Sequence, residues 1–77
     1  MMAAASITPS RKQVFVQRGV GHWWEVIVEG YAKSFQFSHR EIAVRYARLW
    51  AAANRPSVVV FYPFSDSREQ RRIPFDA

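Results

Sequence analysis

Three runs in the first half of the chain have strand patterns. The first alternates with a period of two, the second is rich in aromatic and β-branched residues, and the third places Phe35 and Phe37 on one face. The runs are residues 13–17, 23–29 and 31–37. Gly19 and Gly21 separate the first run from the second, and Gly30 separates the second from the third, as expected of turns. The pattern therefore predicts an antiparallel three-stranded meander.

The apolar spacing changes from strand-like to helical at Ser38. Ser38 followed three residues later by Glu41 has the form of a capping box at a helix start. The apolar residues that follow on one side of this helix are Ile42, Ala43, Tyr46, Ala47, Trp50 and Ala53. We expect the helix to end at residues 54–56, since Pro56 cannot continue it.

The chain after the helix predicts one or two further strands. Residues 57–62 are apolar on both alternations, which is typical of a strand covered on both faces, and we expect it beside the meander. Residues 68–73 have the composition of a charged edge strand. The predicted fold class is α+β, in the order β-β-β-α-β-β with the helix across the meander. Residues 1–10 are expected to be a disordered N-terminal tail, and residues 11–77 a single domain.

Strand parity divides the predicted sheet into two faces. The face under the helix would carry Val14, Val16, Trp24, Val26, Val28, Phe35 and Phe37, against Ile42, Tyr46, Ala47 and Trp50 of the helix. The other face would carry Phe15, Trp23, Ile27, Glu25 and Glu29, joined by Val59 or Val60 according to register. A solvated sheet face is normally polar, so we expect something to cover this half-apolar face.

Three coverings fit that apolar face. The C-terminal segment, with Phe64 and Phe75, could fold back over it. A second copy or a partner protein could bind it, because aromatic residues within a polar rim are typical of binding hot spots. Nucleic-acid bases could stack on Trp23 or Phe15. The leading hypothesis is a small non-catalytic interaction module that binds a protein partner or itself through Phe15, Trp23 and Ile27.

Net charge supports a second hypothesis. Eleven Lys and Arg against six Asp and Glu give a formal net charge of +5, which attracts nucleic acid or acidic proteins. A basic nucleic-acid-binding domain would use the arginines of the helix and the C-terminal segment: Arg40, Arg45, Arg48, Arg55, Arg68, Arg71 and Arg72.

Candidate catalytic chemistry is sparse in this sequence. The chain has no cysteine, which excludes a thiol nucleophile and thiolate-bound zinc. His22 and His39 have neither the neighbours of a Ser-His-Asp triad nor the close ligand spacing of a metal site. We therefore expect no enzyme, no cofactor, no metal and no small-molecule substrate. No apolar run approaches the roughly 20 residues of a membrane span, and the start lacks the features of a secretory signal, so we expect a cytoplasmic protein.

Several short motifs between residues 14 and 62 are shared with a known group of proteins. They are Gly21-His22-Trp23-Trp24-Glu25-Val26, Phe37 with Ala43, Ala47 and Ala51, Arg48 within the helix, and Val58-Val59-Val60. This layout resembles a family of short bacterial domains of unknown function. In that family a Gly-Trp-x-Val strand and a third strand precede a helix opened by Phe-x-Thr-x-x-x-Ala, and a Val-rich strand follows. His39 stands here where Thr is usual, and residues 63–66 replace a Gly-containing turn. The resemblance implies a fold and no activity.

Two broader likenesses suggest partners. The layout also looks like the three-strand-plus-helix domains that lay a sheet in the DNA major groove, as in plant transcription factors and some integrase N-termini. There the sheet face carries Arg and Trp, whereas Glu25 and Glu29 at the corresponding positions here would repel phosphate. In size and architecture the chain is similar to phage-encoded inhibitors of bacterial defence complexes, which gives a further alternative, an inhibitor of a bacterial complex.

Overall fold

The computed structural model describes residues 11–63 and 69–76, which form one five-stranded sheet and one helix. The elements are β1 Lys12–Arg18, β2 Trp24–Val28, β3 Ser34–Phe37, α1 Arg40–Ala53, β4 Ser57–Phe61 and β5 Arg71–Phe75. The α+β fold and the order β-β-β-α-β-β are confirmed. The tail predicted to be disordered, residues 1–10, lies outside the described residues.

The sheet is mixed, with the strand order β3-β2-β1-β4-β5. β1, β2 and β3 form the predicted antiparallel meander. β4 lies beside β1 and runs parallel to it, while β5 is antiparallel to β4 at the edge. α1 supplies the long connection that a parallel neighbour requires, so β1 becomes the central strand.

Two turns depend on glycines with a positive φ. Gly21 has φ 71° in the connection from β1 to β2, and Gly30 has φ 90° in the connection from β2 to β3. Both values lie in the region that L side chains rarely adopt. The second turn is closed by the backbone N–H of Tyr31, which donates to the Val28 carbonyl at 3.0 Å. The glycine positions therefore set where the meander reverses.

The core lies between α1 and one face of the sheet, and strand parity predicted that face correctly. Its buried meander residues are Val14, Val16, Trp24, Val26 and Val28, with Phe35 and Phe37 partly buried against them. Val59 pairs with Val14, so it joins this face together with Phe61.

The buried residues of α1 are all alanines, and Val44 and Trp50 pack partly buried beside them. Ala43, Ala47 and Ala51, spaced four residues apart, are all buried completely. Ile42 was predicted to lie in the core, but its side chain is 48% exposed, so that prediction is wrong. Small side chains let the helix backbone approach the sheet closely, and larger ones are left on either side of the contact line.

The helix ends differ slightly from the sequence pattern. α1 begins at Arg40, with His39 at the N-cap, and the His39 side chain makes no capping hydrogen bond. The capping box with Ser38 as the cap is therefore wrong. At the other end, Nδ2 of Asn54 donates to the Trp50 carbonyl at 2.8 Å, which satisfies a carbonyl in the last turn.

β5 confirms the predicted edge strand, with bounds shifted towards the C-terminus. Ile73 pairs with Val59, and Ile73 and Phe75 pack against the core on the helix side of the sheet. Phe75 therefore does not fold back over the other face, so the part of that interpretation that concerns Phe75 is wrong. Phe64, invoked for the same covering, lies outside the described residues.

Candidate interaction surfaces

The sheet face opposite α1, the open face, carries an apolar row across three strands. Phe15 of β1 pairs with Ile27 of β2 and with Val60 of β4, so the three residues lie in register on one face. Val60 is buried completely, and Phe15 and Ile27 are partly buried. The register thus selects Val60, not Val59, for the row. The predicted row exists, but it presents less surface to water than the sequence pattern suggested.

The acidic residues expected on this face are bound to neighbouring strands. The Glu25 carboxylate accepts hydrogen bonds from Nε2 of Gln17 at 3.3 Å and from Oγ of Ser34 at 3.0 Å. Oε1 of Glu29 accepts from the backbone N–H of Gln13 at 2.8 Å. These carboxylates tie β1, β2 and β3 together and keep negative charge beside the apolar row.

Trp23 lies in the connection between β1 and β2, outside the paired strands. Its carbonyl accepts from the Gly19 N–H at 2.9 Å, and its side chain is 50% exposed. Val20, in the same connection, is 92% exposed. The structure therefore brings Phe15 and Ile27 together and leaves Trp23 at the end of the hairpin.

A second apolar surface, which the sequence analysis missed, lies on the outer side of α1. It combines the exposed Ile42 and Leu49, the latter 65% exposed, with the partly buried Tyr46 and Trp50. We call these four residues the α1 flank. Together with Phe37 and Arg45 they line an open, largely apolar groove of about 430 Å³.

Aromatic contacts fix the floor and one end of this groove. The Tyr46 ring centroid lies 5.3 Å from those of both Phe35 and Phe37. Tyr31, itself 56% exposed, meets Trp50 edge to face at 6.2 Å. Such tilted and edge-to-face pairs are favourable geometries, so these contacts restrain the rings beside the groove.

A second groove of about 430 Å³ runs along the other side of Leu49. Its lining includes Val44, Phe75, Arg48 and the carboxylate-bearing Glu41, and Arg45 and Leu49 border both grooves. Arg45 and Leu49 are one helical turn apart, so they form a ridge between two depressions. Leu49 was findable from the sequence, because it lies seven residues after Ile42 and repeats on the same side of a helix.

The arginines of the nucleic-acid hypothesis in and directly after the helix differ in the ion pairs and hydrogen bonds that they form. Arg40 lies 3.8 Å from Glu41 in an exposed ion pair. Arg45 and Arg48 are exposed and form no ion pair with any described residue. Arg55 donates to the Asp76 carbonyl at 3.0 Å.

The arginines after the helix do not extend this group into a single patch. Arg71 pairs with Phe61 and Arg72 with Val60, so the two lie on opposite faces of the edge strand. Both are at the end of β5 that is remote from Phe75. Arg68 lies outside the described residues. Of the arginines that the structure describes, Arg45 and Arg48 are the ones that border the apolar grooves.

Side chains with catalytic or ligating chemistry are dispersed. His22 and His39 are both exposed, one in the first hairpin connection and the other at the start of α1. Within residues 11–63 and 69–76, no three His, Cys, Asp or Glu side chains lie together as a metal site requires. No helix in the described part of the chain is long and apolar enough to cross a membrane.

Comparison of the chain with protein-family models, with curated proteins and with solved structures found no match.

Proposed function

We propose that this chain is a non-catalytic interaction module that binds a protein partner. The observation that supports this best is the α1 flank, where Ile42 and Leu49 are exposed beside an aromatic floor. Aromatic residues and Arg are enriched at protein interfaces, and hot spots lie in pockets that partner side chains fill. The flank and its ridge residue Arg45 supply this composition on one helix.

The open sheet face supports a second form of the same proposal, in which two copies of the chain pair. Phe15 and Ile27 form an in-register apolar pair there, with Trp23 exposed at the end of the hairpin. Trp23→Ala should then abolish dimerisation without unfolding the monomer. Light scattering that shows only monomer at high protein concentration would exclude self-pairing.

Nucleic-acid binding is the alternative function, and it is favoured by the two helix arginines that form no ion pair with a described residue. Arg45 and Arg48 are exposed and available to phosphate. Binding to a mixed oligonucleotide should weaken steeply as salt is raised, because each neutralised phosphate releases counterions. Absence of a gel shift at low salt would remove this alternative.

The proposal is tested by comparing variants as baits in a native lysate. Leu49→Asp places a charge in the middle of the α1 flank, and Val20→Asp places the same charge on the exposed hairpin as a matched control. We expect a specific protein to be retained by the unmodified chain and by Val20→Asp, and lost with Leu49→Asp. Equal retention by both variants would contradict a role for the flank, and failure to retain any protein would contradict the function.

A further inference from the structure

We infer that the α1 flank binds an acidic, amphipathic helical segment of the partner protein. The segment would place apolar side chains in the two grooves and carboxylates against Arg45 and Arg48. This inference rests on the proposed function and deepens it, because it names the chemistry of the partner.

The shape of the surface suits side chains that project on both sides of a ridge. Arg45 and Leu49 separate two open grooves of about 430 Å³ each. Residues 42–50 cover about 12 Å of the helix axis at 1.5 Å per residue. That length corresponds to about two turns of a partner helix, which is the span of anchors at positions i, i+3, i+4 and i+7 in helix-in-groove recognition.

The basic charge of the surface favours a partner whose polar residues are acidic. α1 carries three arginines, Arg40, Arg45 and Arg48, against one acidic residue, Glu41. Glu41 pairs with Arg40 and also lines the second groove, whereas Arg45 and Arg48 at the groove edges form no ion pair with any described residue. A guanidinium that loses water at an interface without a partner is costly, whereas carboxylates bind it with two parallel hydrogen bonds. The partner is therefore expected to supply Asp or Glu on both sides of its apolar stripe.

Two other occupants fit this surface less well. A second copy packed flank to flank would bring the arginines of both helices together, and like charges at an interface are repulsive. Nucleic acid would pair with Arg45 and Arg48 but would set the exposed Ile42 and Leu49 against charged phosphates. An acidic amphipathic segment satisfies both the apolar and the basic parts.

The experiment uses two synthetic helical peptides with the same leucine positions, one with Glu and one with Lys at the polar positions. Each is titrated into the full chain labelled with ¹⁵N, and amide shifts are followed. We expect the Glu peptide to shift the amides of Ile42, Arg45 and Leu49 and to bind about tenfold more tightly than the Lys peptide. Equal affinities, no binding of the Glu peptide, or shifts centred on Phe15 and Ile27 would overturn the inference.

Charge reversal separates a specific site from general attraction to a basic protein. The double variant Arg45→Glu with Arg48→Glu should bind the Lys peptide in preference to the Glu peptide. Its matched control is Arg71→Glu with Arg72→Glu, which changes the net charge equally on β5 and should keep the preference for the Glu peptide. Amide dispersion reports whether each variant is folded. If both double variants lose the preference for the Glu peptide to the same extent, net charge alone attracts the peptide and the inference fails.

The remaining outcomes distinguish this inference from the function on which it rests. If a single-stranded oligonucleotide displaces the Glu peptide and shifts the same amides, the surface is a nucleic-acid site and the inference fails. If Leu49→Asp loses a lysate protein but the Glu peptide does not bind, the protein-binding function stands and the acidic partner is wrong.

Discussion

The α1 flank and the open sheet face both carry large apolar side chains away from the helix–sheet core, yet water reaches them to different extents. Ile42 and Leu49 on the flank are 48% and 65% exposed. On the open face, Val60 is buried completely, and Phe15 and Ile27 are partly buried. An apolar residue outside the main core is thus not equally available for binding in the two places.

The geometry of neighbours accounts for part of this difference. A residue in a central strand has strands on both sides, about 5 Å away, whose side chains on the same face contact it. A helix on a sheet has only one contact line, and in α1 that line consists of Ala43, Ala47 and Ala51. Residues beside the line are less covered by the sheet, and Ile42 among them stays exposed.

The largest effect on the free energy of unfolding is expected from a substitution that disrupts the alanine contact between α1 and the sheet. Ala47→Leu adds a bulky side chain where α1 meets the sheet, and overpacking of this kind costs about 1–3 kcal/mol. Ala53→Leu is the matched control, because Ala53 is exposed on the same helix and should change the free energy of unfolding by less than about 0.5 kcal/mol. Urea unfolding followed by circular dichroism measures both. Similar values for the two variants would show that the alanine line is not the tight contact.

An intermediate effect is expected where the open face is buried. Val60→Thr places a hydroxyl at a fully buried position, which costs about 1–2 kcal/mol if the hydroxyl has no partner. The same substitution at Val20, which is 92% exposed, should be nearly neutral. Thermal unfolding of the two variants gives the comparison. A Val60→Thr protein as stable as Val20→Thr would mean that water reaches the open face at β4.

Sequence patterns predicted the sheet well because strand parity has only two solutions. Once Val14 and Val16 face the core, Phe15 must face the other way. The pairing register then determines which residues of β2 and β4 lie on each face. The charged edge strand was also predictable, since arginines at 71 and 72 are typical of an edge.

The helix was harder to predict because hydrophobicity does not identify its contact line. The sequence pattern assigned Ile42 and Trp50 to the core together with Ala47. Ile42 is exposed and Trp50 is only partly buried, whereas the completely buried residues of α1 are Ala43, Ala47 and Ala51. Their significance depends on how close the backbones lie, which only the fold sets. Leu49 could have been found from its spacing to Ile42, but the groove beside it depends on Phe37 of β3, which only the fold brings there. The parallel pairing of β4 with β1 could not be predicted either. The apolar run at 57–62 indicates that the strand is buried, but it does not indicate in which direction the strand runs relative to its neighbour.

The smallest expected effect compares isoleucines on the two surfaces directly. Ile27→Thr shortens a partly buried side chain on the open face, and Ile42→Thr makes the same change at a side chain that is 48% exposed. Both residues stay β-branched, so the restriction on χ1 is similar. We expect Ile27→Thr to lower the free energy of unfolding by about 1 kcal/mol and Ile42→Thr by less than about 0.5 kcal/mol, since the loss scales with the apolar area removed from water. Urea midpoints at unchanged slope measure the difference. A larger loss at Ile42 than at Ile27 would show that the flank is already packed and is not a free binding surface.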